Sequence, residues 1–457
     1  MPKKVNATTK PKVTPKKPRR PMPQKPPVSL RVVMSKNLSR ALGMKDINVN
    51  DYKNWEVIVR NAIDFFKRYG FNQMETPILE KVGLFQDHAR RDDDREFYNF
   101  NTDRGEKLVL RPELTQGILR TYLEYGLEAM PQPVRLFSVG PAFRQEKLQS
   151  GRYRQFTQIN AEIIGEKKSM TEALLMALVH NFFKDLGLDI EVQINSLGDK
   201  DCQKEYRLRL LAFYKERGKR ARLCTSCRKL LDKDPIALLD CKDKTCIELR
   251  KDAPQIADFL SEEGRDHFAK VVEYLDELEV NYNFNPYLVR GLSYYNDTVF
   301  ELWPMDEKGE SQYKLSLGGG GRYDDLIEKL GGKPTPAVGL ALGLERTISK
   351  IKGKGLILFP KQDNLIFIAQ LSEQAKIRSL QLFEELRKQG FNVRHCFATD
   401  SLRVQLEEAK TLDVRLCIII GKKELMDETV LLRDMESGVQ ETIPQKKLKQ
   451  EIARRLK

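Results

Sequence analysis

The chain has 457 residues, 40% of them hydrophobic and 32% charged, with a net charge of +14. That length allows two or three domains with cores of their own, and no apolar run is long enough to cross a bilayer, so a membrane-spanning role is set aside. The charge is uneven: residues 1–45 carry 13 Lys or Arg and no acid, leaving 66 basic residues against 65 acidic ones, so composition alone describes a basic arm on a nearly neutral body.

Eight prolines in residues 1–27 remove amide donors and exclude helix, so this arm is expected to be disordered or polyproline-like. The following VSLRVVMSKNLSRAL can form a basic amphipathic helix. Nothing near Met1 resembles the apolar core of a signal peptide, and the prolines fit a transit peptide badly; the expected location is cytoplasmic. Residues 52–69, YKNWEVIVRNAIDFFKRY, place apolar side chains at helical spacing, and Gly70 ends the helix. An extended segment broken at Pro77 follows. EFYNFN and KLVLRPELTQG, joined by DRGE, read as a hairpin leading into a helix, with Glu113 and Thr115 expected on one side of a strand end. VRLFSVGPAFRQEK and RQFTQINAEIIG read as a second antiparallel pair. Hairpins with helices between them point to an antiparallel sheet in an α+β domain.

Between EVQINSLGD and NPYLVRGL lies a charged, mostly helical block that looks like an insertion. After Lys361 strands alternate with helices, implying a small α/β domain with a mostly parallel sheet. The expected division is an arm at 1–45, a first domain interrupted by the block (46–199, 200–280, 281–355), and a second domain at 362–457.

Four stretches carry chemistry. In residues 140–162, strand alternation puts Arg144 and Glu146 on one face, where a forked cation suits a phosphate and a carboxylate can accept from an exocyclic amine. Arg154, Phe156, Gln158, Asn160 and Glu162 share a face of the return strand, with Phe156 able to stack on a base; a solvated ion-pair ladder is the plainer reading of any such hairpin. In TPAVGLALGLERTI a small-residue strand leads into a helix with Arg346 in its first turns, where anions are favoured. LGGGGRYDDLI lacks the Lys-Ser or Lys-Thr of a phosphate loop, and its glycines are better suited to let the backbone approach a small ligand, with Arg322 and Tyr323 beyond. VRGLSYYNDTVFEL sets Arg290, Tyr294 and Tyr295 at the mouth of an apolar strand.

Of the seven cysteines, Cys224, Cys227, Cys241 and Cys246 form a Cys-x2-Cys and a Cys-x4-Cys pair 13 residues apart. Four thiolates so paired suit a tetrahedral structural zinc, and free thiols are the other reading. A secreted disulfide framework does not fit.

RPELT, FRQEKLQSGRYRQF, RGLSYY with TVFE, GGGGRYDDLI and GLALGLER, in this order, closely resemble the histidyl-tRNA synthetases, a family of class II aminoacyl-tRNA synthetases, from about Gly43 to the C-terminus. The resemblance implies an antiparallel catalytic domain with a helical insertion, a C-terminal α/β anticodon-binding domain, a homodimer with METPILE at its interface, and ligation of L-histidine to histidine tRNA through an adenylate made from ATP with Mg2+. By that resemblance Arg144 holds the α-phosphate, Glu146 and Phe156 the adenine, and Arg152 and Arg346 the outer phosphates. Glu113, Thr115 and Gln158 hold the amino and carboxylate groups. Glu162 and Tyr295 pair the imidazole nitrogens, Tyr294 helps frame that pocket, and Arg290 is the catalytic cation. The chain departs from the family pattern at Ser293 and in DHARRDDDREF (87–97). A synthetase-like regulatory module that binds histidine or tRNA without catalysis, and a class II synthetase for another amino acid, are the competing readings. The first would lack RGLxYY or the ATP arginines, and the second the RGLSYY and GGGGRYD signatures.

Overall fold

The computed structural model describes residues 39–85, 97–145, 151–306, 315–356 and 365–456. The Pro-rich arm, residues 87–96 and Glu146 lie outside the described residues. The first helix, α1 (Val49–Arg68), ends where Gly70 takes a φ of +78°, which a glycine adopts without strain. Strand β1 (Asn72–Gln73) follows. A three-stranded antiparallel sheet is built from β2 (Leu79–Lys81), β3 (Asn99–Asn101) and β4 (Lys107–Leu110), in the order β2-β4-β3.

Helix α2 (Thr115–Glu124) opens directly after this sheet. Thr115 is therefore the first residue of a helix, and Glu113 sits in the turn before it; neither lies on a strand end as expected. The pattern TQGILRTYLE buries Ile118, Leu119 and Tyr122 at helical spacing and starts the helix earlier than the hairpin reading allowed.

An eight-stranded sheet has the order β1-β5-β6-β11-β10-β9-β7-β8. Strands β5 (Val134–Phe143) and β6 (Gln155–Ile164) make a ten-residue antiparallel ladder, Val134 opposite Ile164 and Phe143 opposite Gln155. Helix α3 (Met170–Asp185) leads to β7 (Ile190–Ser196). The inserted block is helical, with α4 (Lys200–Lys215), α5 (Lys219–Arg222), α6 (Thr225–Leu230), α7 (Lys244–Arg250) and α8 (Glu262–Glu277). Strands β8 (Tyr282–Phe284), β9 (Asn296–Pro304) and β10 (Gly318–Arg322), helix α9 (Leu326–Lys329), strand β11 (Ala337–Gly343) and helix α10 (Leu344–Gly353) complete this part.

Alternation along the strands separates two faces. Ile159, Ala161 and Ile163 of β6, Phe300 and Leu302 of β9, and Val338, Leu340 and Leu342 of β11 join one core with Phe66 of α1 and Phe182 of α3. Phe66 stacks on Phe137 at 5.5 Å. The opposite face of the same strands carries Asn160, Glu162, Glu301 and glycine. Burying one face fixes the register of the other, because a one-residue slip would exchange them.

The C-terminal sheet has the order β13-β12-β14-β15-β16, from β12 (Leu365–Gln370), β13 (Asn392–His395), β14 (Leu416–Ile420), β15 (Thr429–Asp434) and β16 (Gln440–Pro444). Helices α11 (Glu373–Lys388), α12 (Leu402–Thr411), α13 (Lys422–Met426) and α14 (Gln445–Arg455) intervene or follow. Strands β12, β13 and β14 are parallel, whereas β15 and β16 form an antiparallel hairpin on one edge, so the sheet is mixed. Only crossovers that carry a helix give parallel pairs, and the short turn after Asp434 cannot.

Candidate active site

Two cross-strand rows form the floor. In one, Asn160, Ala341, Gly319 and Glu301 lie side by side on β6, β11, β10 and β9; in the next, Glu162, Gly339, Gly321 and Val299 do so. Small residues in the middle leave a trough, and long polar side chains stand at its edges. A Cβ on Gly339 would overlap the Glu162 carboxylate. A Cβ on Gly319 would stand 2.7 Å from Nη1 of Arg290. The sequence reading had these glycines admit a ligand; what the structure lays directly on them is the protein's own Arg290 and Tyr295.

Arg290 crosses Gly319 so that Nη1 donates to Oε1 of Glu301 at 2.6 Å, with the guanidinium 6.0 Å from the centre of the Tyr295 ring. Burial is the largest single effect on Arg290 and lowers its basicity, but Glu301 and the smaller contributions of Tyr295, Tyr294 and Asp240 together outweigh it and the cation is reinforced. Tyr294 donates to both oxygens of Glu113, at 3.1 and 2.9 Å. Tyr294, Tyr295 and Tyr323 pack as a cluster with ring centres 4.8–6.3 Å apart.

Glu162 is fully buried. Its Oε1 accepts from the Thr115 hydroxyl at 2.7 Å, and its Oε2 accepts from the Tyr323 hydroxyl. Burial pushes its carboxyl up to about 8, against the pull of those hydrogen bonds. Burial also raises Tyr294 well above its ordinary value and Tyr295 to about 12, so both phenols keep their protons. Asn160 donates to Thr115 at 3.0 Å. Oε1 of Gln158 and Oδ1 of Asn160 are buried without a hydrogen-bond partner. Two orphaned acceptors beside a buried acid are what a polar ligand would satisfy.

At the open end of the β5–β6 ladder, Arg144 donates from Nε to the Pro112 carbonyl at 2.8 Å and lies 5.3 Å over the Phe156 ring. Arg346, in the first turn of α10, donates to the carbonyls of Ser316 at 2.9 Å and Gly151 at 3.3 Å. Arg152 is exposed at a bridge position just before β6, at that end. The structure thus gathers Glu113, Thr115, Gln158, Glu162, Arg290, Tyr294 and Tyr295 on one face, with Arg144, Phe156 and Arg346 at its outer end.

Sequence reasoning missed two residues that hold this site, Glu301 and Glu345, and set Tyr323 beside the glycines without a role. Glu301 pairs with Arg290, and its place two residues after Val299 on a strand was the available signal. Tyr323 bonds Glu162, and Glu345 accepts the Thr157 amide on both oxygens, at 2.8 and 3.0 Å. Arg322, by contrast, turns to the other face and pairs with Glu172 of α3 at 2.6 and 2.7 Å.

A glycine-floored sheet, antiparallel across its six central strands and parallel at both edges, with arginines at its open end and a separate mixed α/β domain after it, is the architecture of a class II aminoacyl-tRNA synthetase. Residues 43–347 match the family model for histidyl-tRNA synthetase, and residues 365–455 that for an anticodon-binding domain. A histidine–tRNA ligase of Thermosipho melanesiensis is 38% identical over 402 residues, covering 87% of this chain and 94% of the relative. One from Dehalococcoides mccartyi is 36% identical over 418 residues, 91% and 99% of the two chains. The apo histidyl-tRNA synthetase of S. aureus has a similar structure, with a TM-score of 0.76 at 30% identity, covering 92% of this chain and all of that one. The chain belongs to the histidyl-tRNA synthetase family.

Proposed function

We propose that the polar face of the large sheet condenses L-histidine with ATP to histidyl-adenylate and then passes the histidyl group to the terminal ribose of histidine tRNA. ATP-dependent ligation of histidine to tRNA is the activity of the family, and the chain is a ligase of that kind. The observation that carries the reading is the position of Arg290, across a glycine strand and beside the buried cluster of Glu113, Glu162 and the three tyrosines.

In this reading Arg290 faces the α-phosphate and stabilises the charge that builds as the histidine carboxylate attacks; Arg144 holds the same phosphate from the other side. Phe156, with Glu146, takes the adenine, and Arg152 and Arg346 the outer phosphates. Glu113, Thr115 and Gln158 hold the amino acid backbone. Glu162, Tyr295 and Tyr294 surround the imidazole, and a site that pairs both ring nitrogens rejects side chains that leave those groups unpaired. Magnesium would neutralise the departing pyrophosphate; as a hard cation it prefers oxygen ligands, and Glu301 offers a carboxylate beside Arg290. The four clustered thiols, outside this chemistry, would hold a structural zinc.

The same reading assigns catalysis to residues 46–199 and 281–355, places the helical insertion at 200–280, and gives anticodon reading to residues 362–457 by contacts with unstacked loop bases. It makes the protein a cytoplasmic homodimer. In support of pairing, Ile78 and Leu79 of METPILE and Phe100 of the three-stranded sheet are exposed apolar residues. Among the described residues no helix is long and apolar enough to cross a membrane.

The protonation of Glu162 gives a testable pH dependence. With its carboxyl at about 8 and free imidazole at roughly 6.5, site and ligand together bring one proton between those values. The complex needs that one proton, shared between the acid and the ring. Below the window binding must release a proton, and above it binding must take one up, so affinity should fall on both sides. Histidine titrated calorimetrically from pH 5.5 to 9 should bind most tightly between about 6.5 and 8. Glu162→Gln should bind more weakly and lose the decline that begins near pH 8; an unchanged profile would remove Glu162 from the imidazole pocket. The overall reading is tested by charging. With ATP, magnesium and total tRNA, labelled histidine should become acid-precipitable, and labelled glutamine or tyrosine should not.

A further inference from the structure

The inserted block carries the four thiols at the ends of short elements. Cys224 caps α6, Cys227 lies in its first turn, Cys241 follows a short 3-10 turn (Ile236–Asp240), and Cys246 lies in α7. Their sulfurs all lie within 4.8 Å of one another, and those of Cys224 and Cys241 are 3.8 Å apart. That separation is far too long for a disulfide, but it is the edge of a tetrahedron with zinc–sulfur bonds of about 2.3 Å. Backbone amides point at the sulfurs: Cys224 N–H donates to Cys246 at 3.2 Å, and Cys227 N–H to Cys224 at 3.4 Å. Amide donors of this kind stabilise thiolates and orient them as ligands.

The cysteine knuckle is fastened to the loop that bears Arg290. Arg250, at the end of α7, donates to the Leu239 carbonyl and lies 5.0 Å over the ring of Tyr287. The Tyr287 hydroxyl reaches back to the Lys251 carbonyl at 3.5 Å. Leu238, Leu239 and Leu249 share one continuous core with Leu288, Val289, Tyr294 and Tyr295. Asp240 and Lys242, which flank Cys241, are close enough to Glu301 to bear on its charge, and Asp240 also acts on Arg290. The knuckle thus backs the catalytic loop on its insertion side. Strand β7 ties down the start of the loop, with Asn285 N–H donating to the Ile194 carbonyl at 2.9 Å and Asn195 donating to the carbonyls of Pro286 and Leu288 at 3.3 and 3.0 Å. Beyond Leu288 the knuckle's backing helps set where the guanidinium points.

We infer that zinc bound at Cys224, Cys227, Cys241 and Cys246 is a positioning device for Arg290: it holds residues 236–250 against the 287–295 loop and thereby sets the geometry of the adenylation step. This rests on the zinc reading above and goes further, making catalysis depend on an ion that touches no substrate.

The full-length protein, purified without chelator, should contain about one zinc per chain by elemental analysis. Cobalt in its place should show thiolate charge-transfer and tetrahedral d–d absorption. Cys241→Ser, or stripping with a chelator, should lower kcat for histidine-dependent pyrophosphate exchange by about tenfold or more. KM for histidine should move much less, and Cys396→Ser, in the C-terminal domain, should change neither metal nor rate. The decisive arm repeats the stripping in Arg290→Gln. If zinc acts through Arg290, metal loss costs little more in that background. Protein without zinc and without the cobalt bands would overturn the metal reading itself. Zinc present, with stripping equally costly in both backgrounds, would overturn the coupling and leave an ordinary structural metal. Far-UV circular dichroism at the assay temperature identifies any Cys241→Ser sample that has unfolded, and the chelation arm then decides.

Discussion

Replacing Arg290 by Gln should lower kcat for histidine-dependent pyrophosphate exchange by roughly 10²–10³-fold while changing the KM for histidine little, the signature of a group whose contact strengthens only as charge builds on the phosphate. Arg290 is held for that role before any substrate arrives. Glu301 fixes Nη1 at 2.6 Å, and Gly319 lets the side chain lie on the sheet. The Nε atom is buried without a partner. A Gln reaches part of the same space but carries no charge and lacks the fork. Lysine should be intermediate, since it keeps the charge but cannot donate from a planar fork. Full activity in Arg290→Gln would remove the residue from the reaction.

The largest effect on stability is expected on the other face of the same strand. Arg322 and Glu172 are 1% and 0% exposed and make two hydrogen bonds, and Glu172 also bonds His267 of α8 at 2.6 Å. Arg322→Met would leave a fully buried carboxylate without its cation, at a cost of about 3–5 kcal/mol. Removing both charges as Arg322→Met with Glu172→Met should recover much of that loss, because the pair itself gives up solvation to form. Burial alone would raise the Glu172 carboxyl, but Arg322 and His267 prevail and hold it below its ordinary value. The contribution is therefore complete above that ordinary range and is lost as pH falls through the depressed folded value, so the gap between wild type and Arg322→Met should narrow in acid. Both tryptophans, Trp55 in α1 and Trp303 in β9, belong to the large-sheet unit, so fluorescence during urea unfolding reports this transition. Equal midpoints for wild type and Arg322→Met would contradict the assignment.

Much of this arrangement is written locally. The apolar spacing of residues 52–69, the ten-residue alternation of β5 and β6, and the helices of the inserted block each follow from a repeat that a short window contains. The site residues on β6 were legible for the same reason, since a period of two places Gln158, Asn160 and Glu162 together. RPELT misled because Pro112 and the preceding KLVL suggest extended chain, whereas Thr115 already belongs to the helix whose apolar spacing continues to Glu124. The partners of buried charges were not legible. Arg322 finds Glu172 150 residues away, and Tyr323 finds Glu162 161 residues away, so those contacts exist only once the sheet order is fixed. The glycines showed that something must approach closely, but with one sequence nothing distinguished a ligand from the protein's own arginine. The β15–β16 hairpin was missed because strands alternating with helices suggested continued parallel crossovers.

The central claim is that this face activates histidine and no other amino acid. It is tested most directly by ATP–pyrophosphate exchange with each of the twenty amino acids in the absence of tRNA. The expected result is exchange with L-histidine alone, lost in Arg290→Gln. Exchange driven by a different amino acid, or none with histidine from folded, ATP-binding protein, would contradict it.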